Sequence, residues 1–594
     1  ERGWAPQPPG GVRAAIGGAA PGADTGAAGG PAPRRRREPV ACAGQPVHDI
    51  VVLTQPPYAN TGMLGRFGFV ERAVRQFHST TRPEVVRRFL VINPGEPCDE
   101  LRRAESERIL RAQPYLVDAR ILAYDDAQGG VRLEVETRDE FSAIIEAAVR
   151  TAAPPVTRLR VGEANFLGSG VYGTLEWRDG GIGYRDGMGL QATHYQFFGR
   201  PWQFAVRALR RDVGGEWSLD LSHPFYTDLQ RIAWRASAGG QDNHLELARP
   251  GAPIGAAPGA LFFRREWADL GGMLRLGVPG RLSLFGASVS MENARTTDRF
   301  VQLTDSGQFD EDRAQLGFRP SQRYPGQHAM RLNALWGVRN VRFVRVTGFD
   351  ALTGAQDVRR GFQAGTLLGR GVALGSSRDD DIFVSGDLYG GFGTPRAFAA
   401  FEAKGEGRQD NDRNEWNGIV ASGRAAWYLV PDTRHRLVTN VEFTGVWRPR
   451  IPLLLGLGAV DGGARGFGDS RAAGAQRLVA RAEYRLMLGR PFGLGDAGIA
   501  TFLDAGRVWA GDAPFGVTTP MRSAAGIGLL AAVPPRSRRL WRVDLAVPLT
   551  REPGAGRLQL IFGNRDNTRT FWREPRDLNL GRERAVPASI FNWP

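Results

Sequence analysis

Gly462-Gly463-Ala464-Arg465-Gly466-Phe467 is a glycine-rich loop with one Arg at its tip, and hydrophobic/polar alternation runs from it nearly to residue 594. In the next stretch Leu478, Ala480, Ala482, Tyr484, Leu486 and Leu488 share one phase, and Arg477, Arg481, Glu483 and Arg485 share the other. A strand has a side-chain period of two, so one face can meet lipid while the other meets a wet lumen. A soluble sandwich alternates in the same way, and the rest of the chain has to decide.

The same texture fills most of the chain. Val171, Gly173, Leu175 and Trp177 alternate with Tyr172, Thr174, Glu176 and Arg178; Trp202, Phe204, Val206 and Ala208 alternate with Gln203 and Arg207. Trp541, Val543, Leu545, Val547 and Leu549 alternate with Arg542 and Asp544. Burying so many Arg and Asp in a sandwich would require a paired partner for each. A barrel lumen accepts them, and Trp at strand ends suits an interfacial girdle. Polar segments 294–329 and 348–360 read as extracellular loops.

Composition narrows the function classes. At 594 residues the chain exceeds one ordinary soluble domain, and its 78 Gly argue against a large helical core. It holds no apolar run of about 18 residues, which excludes a helical membrane span but not a barrel. The net charge of +15 does not point to nucleic acid. Lys404 is the only Lys among 77 basic residues, and the Arg are spread along alternating strands rather than gathered in a patch. Metal, phosphate-loop and serine-nucleophile motifs are missing, so neither an enzyme nor a cofactor is indicated. Cys42 and Cys98 can pair in an oxidising compartment, but two unpaired thiols are the expected state, because spacing supplies no geometry.

Residues 1–45, rich in Ala, Gly and Pro with Arg34 to Arg37 in a row, read as a disordered leader. They carry no apolar secretory segment, so such a signal is taken as cleaved or lost from the record. Residues 46–140 change character. Ile50-Val51-Val52-Leu53 is a strand, and a helix starts near Pro83 with Thr80 or Thr81 as cap and Val85, Val86, Phe89 and Leu90 on one face. Asp99 caps a second helix with Leu101, Ala104 and Ile109 inward. Strands 119–124 and 131–137 follow as a hairpin.

This β-α-α-β-β order, with the stretch from Thr80 to Ile121, resembles a POTRA domain, which implies a periplasmic module offering a sheet edge to an extended client. Further on, Asn165-Phe166-Leu167-Gly168-Ser169-Gly170 is similar to the element opening the barrel of the BamA/TamA outer-membrane assembly superfamily, and His223-Pro224-Phe225-Tyr226 to one of its strand ends. Ala464-Arg465-Gly466-Phe467 resembles that family's lumenal-loop signature, with Ala for Val, and Phe502-Leu503-Asp504 its F-x-D strand.

The resemblance implies a transmembrane antiparallel β-barrel of about 16 strands over 141–573, preceded by the small α+β domain and followed by an extension, 574–594. It implies that Arg465 is buried against Asp504 and Glu483, and Phe502, oddly placed on the polar phase, would pack on the inserted loop. Five strands are expected after the loop, near 477–488, 498–509, 523–533, 539–549 and 557–572. Before it the residues alone suggest about fourteen extended segments, where the family would place eleven. The implied role is insertion or translocation of client proteins at the bacterial outer membrane, through strand capture and a lateral barrel seam. Its partners would be lipid, unfolded barrel or secreted clients and periplasmic accessory proteins. A porin-like barrel and the transporter of a dedicated secretion system are the alternatives.

Overall fold

The structure is a computed structural model, and it describes residues 38–58, 78–126, 128–149, 156–178, 187–211, 214–247, 259–303, 309–311, 318–372, 379–458, 462–468, 470–551, 556–566 and 574–585. Most of the expected leader and the last nine residues of the extension lie outside that set.

The N-terminal unit is a four-stranded sheet with two helices. In chain order these are β1 (Ala43–Gln55), α1 (Pro83–Arg87), β2 (Pro97–Asp99), α2 (Glu100–Ala112), β3 (Leu116–Asp125) and β4 (Val131–Asp139). The sheet order is β2-β1-β4-β3, with β1 parallel and β3 antiparallel to β4. Alternating Val131, Leu133 and Val135 of β4 are buried against Val85, Val86 and Leu110 of the helices. Asp99 accepts from the Arg102 amide at 2.9 Å, as an N-cap should.

Three local expectations are corrected. The residue capping α1 is Arg82, whose side chain makes no cap bond, because Thr81 is buried and its amide donates to Asp139. Leu101 is 45% exposed, and α2 instead buries Glu105 and Arg111, since that side of the helix faces the barrel. Cys42 and Cys98 are not free thiols: they form a disulfide that ties the start of β1 to β2, their Cα atoms 4.9 Å apart.

The rest of the described chain closes into a barrel of twenty antiparallel strands, from Ala143–Val149 round to Gln559–Asp566 beside it. Five strands follow the Arg465 loop, as expected, but fifteen precede it, so the ring of about 16 is corrected upward. Alternation holds along the wall. In Gln327–Thr347, Arg331, Asn333 and Leu335 are buried inward while Leu332 and Trp336 are half exposed outward. The wall is uneven in height: Arg281–Leu303 has 23 residues, whereas the closing strands have 7 and 8.

The N-terminal unit covers the end of the barrel where the strand connections are short. Asn165 donates to the Thr81 hydroxyl at 2.8 Å, Gln196 to the Val85 carbonyl at 2.8 Å, and Arg108 to the Tyr226 carbonyl at 2.8 Å. Arg111 forks onto Asp357, both bonds 2.9 Å. Residues 348–360, expected as an outer loop, are therefore a tight turn and strand start at this domain-covered end. Of 294–329, residues 294–303, 309–311 and 327–329 are strand. Polar composition misled there because the lumen face is itself polar.

Candidate functional site

Two segments lie in the lumen, the first entering from the end opposite the N-terminal unit and the second following strand Gln559–Asp566, whose last residue pairs with Arg539 beside that unit. The first is the connection from strand His435–Trp447 to strand Gln476–Gly489, pinched by a two-residue pairing of Leu455–Gly456 with Ala473–Gly474. Its tip is held by the wall on several sides. The Arg465 side chain forks onto Asp504, Nε at 2.8 Å and Nη2 at 2.7 Å, and its main-chain amide adds a third bond at 3.0 Å. Its Nη1 reaches Glu483 at 2.8 Å, and the guanidinium lies 3.6 Å over the centre of the Phe502 ring. A planar guanidinium offers a fork of donors and a stacking face at once, which no Lys can do.

All the expected site residues meet here. Asp504 is fully buried and Glu483 nearly so. Phe502 is on the lumen face because the inserted Arg covers it. Phe467 and Ala464 are buried with Leu457, Val479 and Val508, which anchors the apolar side of the loop. Gly466 has φ +89°, and a Cβ there would stand 2.7 Å from that of Ala524, so only Gly fits.

Sequence reasoning missed the outer members of the network. Glu483 also accepts from Arg485 at 2.7 Å and Arg542 at 2.9 Å, and Arg542 in turn holds Asp544 at 2.8 Å. Gln559, on the last strand, accepts from the amides of Gly466 (2.8 Å) and Gly468 (3.3 Å). The polar phase of Trp541 to Leu549 pointed to Arg542 and Asp544. Nothing in the pattern singled out Gln559.

The second inward segment is 574–585, with a short helix Arg576–Gly581. Asp577 pairs with Arg477 at 2.5 and 3.1 Å, Glu583 pairs with Arg331 and Arg408, and Leu578 is buried among Val420, Val446, Leu453 and Leu455. The expected extension is thus inside the barrel over these residues.

The domain-barrel junction carries its own polar lock. Burial lifts the Glu140 carboxyl above its ordinary range, against the pull of Arg539 and of the Ser537 hydroxyl, which donates at 2.8 and 2.9 Å. Burial alone would also lift Glu105, but the Arg108 fork holds it below the usual carboxylate range. The sheet edge expected to be free is engaged. On β3 the Ile121 amide donates to Glu107 (2.8 Å), its carbonyl accepts from Arg103 (2.7 Å), and the Ala123 carbonyl accepts from the Val40 amide (2.8 Å). Among the described residues no cluster of ligating side chains suits a metal.

No family model and no curated protein matches the chain. Among solved structures, it is similar to BamA from Haemophilus ducreyi lacking POTRA domains 1–3, at 13% identity, over 87% of this chain and 84% of that one, with a TM-score of 0.37. It is also similar to CdiB from Escherichia coli (12% identity, 87% and 76% covered, TM-score 0.40) and CdiB from Acinetobacter baumannii (9%, 87% and 89%, 0.36). Likeness this distant carries no functional argument.

Proposed function

We propose that this chain is an outer-membrane barrel that inserts or translocates client polypeptides, with a POTRA-type domain docked as a periplasmic collar. The observation that carries the reading is the grip of the lumenal loop on the closing side of the barrel. Arg465 holds Glu483 and Asp504, and Gln559 of the last strand holds the loop backbone. Loop position is thereby coupled to the edge that would part. That edge joins the first and last strands of the ring, whose described parts are seven and eight residues long. We place the lateral exit at the seam between Ala143–Val149 and Gln559–Asp566, where the first and last strands of the ring meet. Arg465, Asp504 and Glu483 brace it and carry out no chemistry; lipid burial and strand pairing supply the free energy.

Strand capture by the N-terminal domain would require β3 to release Arg103, Glu107 and Val40, so the seam is the better receiving edge. An open porin is disfavoured by the two segments in the lumen. A transporter of secreted polypeptides remains the second reading, favoured by a ring of twenty strands, wide enough for a chain once those segments move. The test is reconstitution of the purified chain in liposomes, scoring insertion of an unfolded barrel client against protein-free liposomes. Acceleration that is lost when the seam is stapled by cysteines in its two strands supports insertion. Acceleration that survives the staple refutes the lateral exit.

A further inference from the structure

The wall contacts of 574–585 amount to a built peptide site. Four arginines receive the segment. Arg477 forks onto Asp577, Arg331 and Arg408 converge on Glu583, and Arg265 donates to the carbonyls of Leu580 (2.8 Å) and Arg582 (2.5 Å). Each of these arginines is at least nine-tenths buried. Wall carboxylates read the segment's backbone: Glu406 accepts from the Glu583 amide at 2.8 Å, and Glu292 from the Arg584 and Ala585 amides at 2.8 and 3.1 Å. Glu406 and Ser422 also take the Arg582 guanidinium. Backbone donors and acceptors, an apolar pocket for Leu578 and fixed places for two acids are what recognition of a short extended peptide requires.

The two acids stand on different sides of the lumen, because Arg477 belongs to strand Gln476–Gly489 and Arg331 to strand Gln327–Thr347. A segment bonded to both, and to strands Gly259–Val278 and Ala397–Asp410 between its ends, bridges the bore. Gly456 of the Arg465 loop donates to Asp577 at 3.3 Å, so the two inward segments brace each other.

We propose that the lumen wall is a binding site for a short peptide with two acidic residues six apart, that residues 574–585 of the chain fill it, and that filling it closes the barrel to solutes. The ion pairs make this filling removable. A buried pair repays little more than its desolvation, so a competing peptide of the same pattern exchanges for the segment at small net cost. The proposal needs only a membrane-spanning barrel and does not depend on insertase activity.

The experiment is conductance in planar bilayers, with no client present, of the full chain and of a variant ending at residue 573. The full chain is closed, and the shortened one, with folding checked by heat-modifiable gel mobility, conducts several-fold more. Adding a synthetic peptide of residues 574–585 returns conductance to the full-length level, and the same peptide with Asp577→Asn and Glu583→Gln does not. Equal conductance of the two chains overturns closure, and closure by both peptides overturns the acid-reading site. If the shortened chain fails to fold, full-length Asp577→Asn/Leu578→Asp/Glu583→Gln decides: raised conductance supports the proposal and unchanged conductance refutes it. Failure of client insertion in liposomes would leave these outcomes untouched.

Discussion

Replacing Arg465 by Ala removes the side chain that Asp504 was buried to receive. Asp504 is fully buried and keeps only the residue 465 amide from that contact, while Glu483 retains Arg485 and Arg542. The loss therefore falls on Asp504, and stranding one member of a buried pair costs about 3–5 kcal/mol. Asp504→Ala strands the guanidinium less completely, because Glu483 at 2.8 Å and Asp544 at 3.5 Å remain, so about 2–4 kcal/mol is expected. Once either partner is gone the other has little left to lose. The double variant should then sit within about 1 kcal/mol of Arg465→Ala alone, giving a coupling of about 2–3 kcal/mol. Arg465→Lys keeps the charge but not the fork or the stack on Phe502, and should recover less than half of the loss. The assay is urea unfolding of the unsubstituted protein and the four variants in detergent micelles, read by the fraction that keeps the fast mobility of the unheated barrel. Additive single effects, with coupling under about 0.5 kcal/mol, would refute the buried fork.

Gly466→Ala meets both a left-handed φ and Ala524, and should cost about 2–4 kcal/mol in the same urea assay, where a neutral result would place the loop tip elsewhere. Glu140 has a folded pKa above its ordinary 4.5, so the folded state holds its proton more tightly and stability is lost as pH rises from ~4.5 through the raised value. Glu140→Gln should flatten that loss in Tm measured against pH, and an unchanged slope would assign it to another group. The Cys42–Cys98 bridge spans 56 residues and should stabilise the N-terminal unit by about 4 kcal/mol through loop entropy. Limited proteolysis within 38–139 should accelerate under reductant in the native protein, and the Cys42→Ser/Cys98→Ser variant should be fast under both conditions.

The lumenal lock was legible through the family resemblance, which implied that Arg465 meets Asp504 and Glu483; the residues alone left Phe502 oddly placed on the polar phase, and the inserted Arg465 covers it. Strand number was less legible. The residues alone suggested about fourteen segments before the loop and the family resemblance eleven; fifteen are observed, so the ring of about 16 taken from the resemblance was too small. Pairings between residues far apart left no local trace. Arg331 finds Glu583 across 252 positions and Arg111 finds Asp357 across 246, and no periodicity encodes such a match. Leu101 was misplaced for a related reason: α2 turns its polar Glu105 and Arg111 toward the barrel mouth, a partner invisible from the helix itself.

A ring of twenty strands encloses more space than its own side chains can fill, and the way this chain fills it bears on function. An apolar filling would make the interior a core, gaining about 25 cal/mol for each Å² buried and losing all of it on opening. Here the Arg465 loop and residues 574–585 are held chiefly by arginine–carboxylate forks, with small apolar anchors at Phe467 and Leu578. Forks of this kind are directional yet nearly neutral in net stability, because desolvation offsets attraction. Position is thus specified strongly while displacement stays cheap, provided that incoming groups satisfy the arginines left behind. Water entering the lumen can do so in part, and an acidic polypeptide more fully. The interior chemistry therefore suits displacement of both segments by a polar, acidic chain, as the proposed function requires.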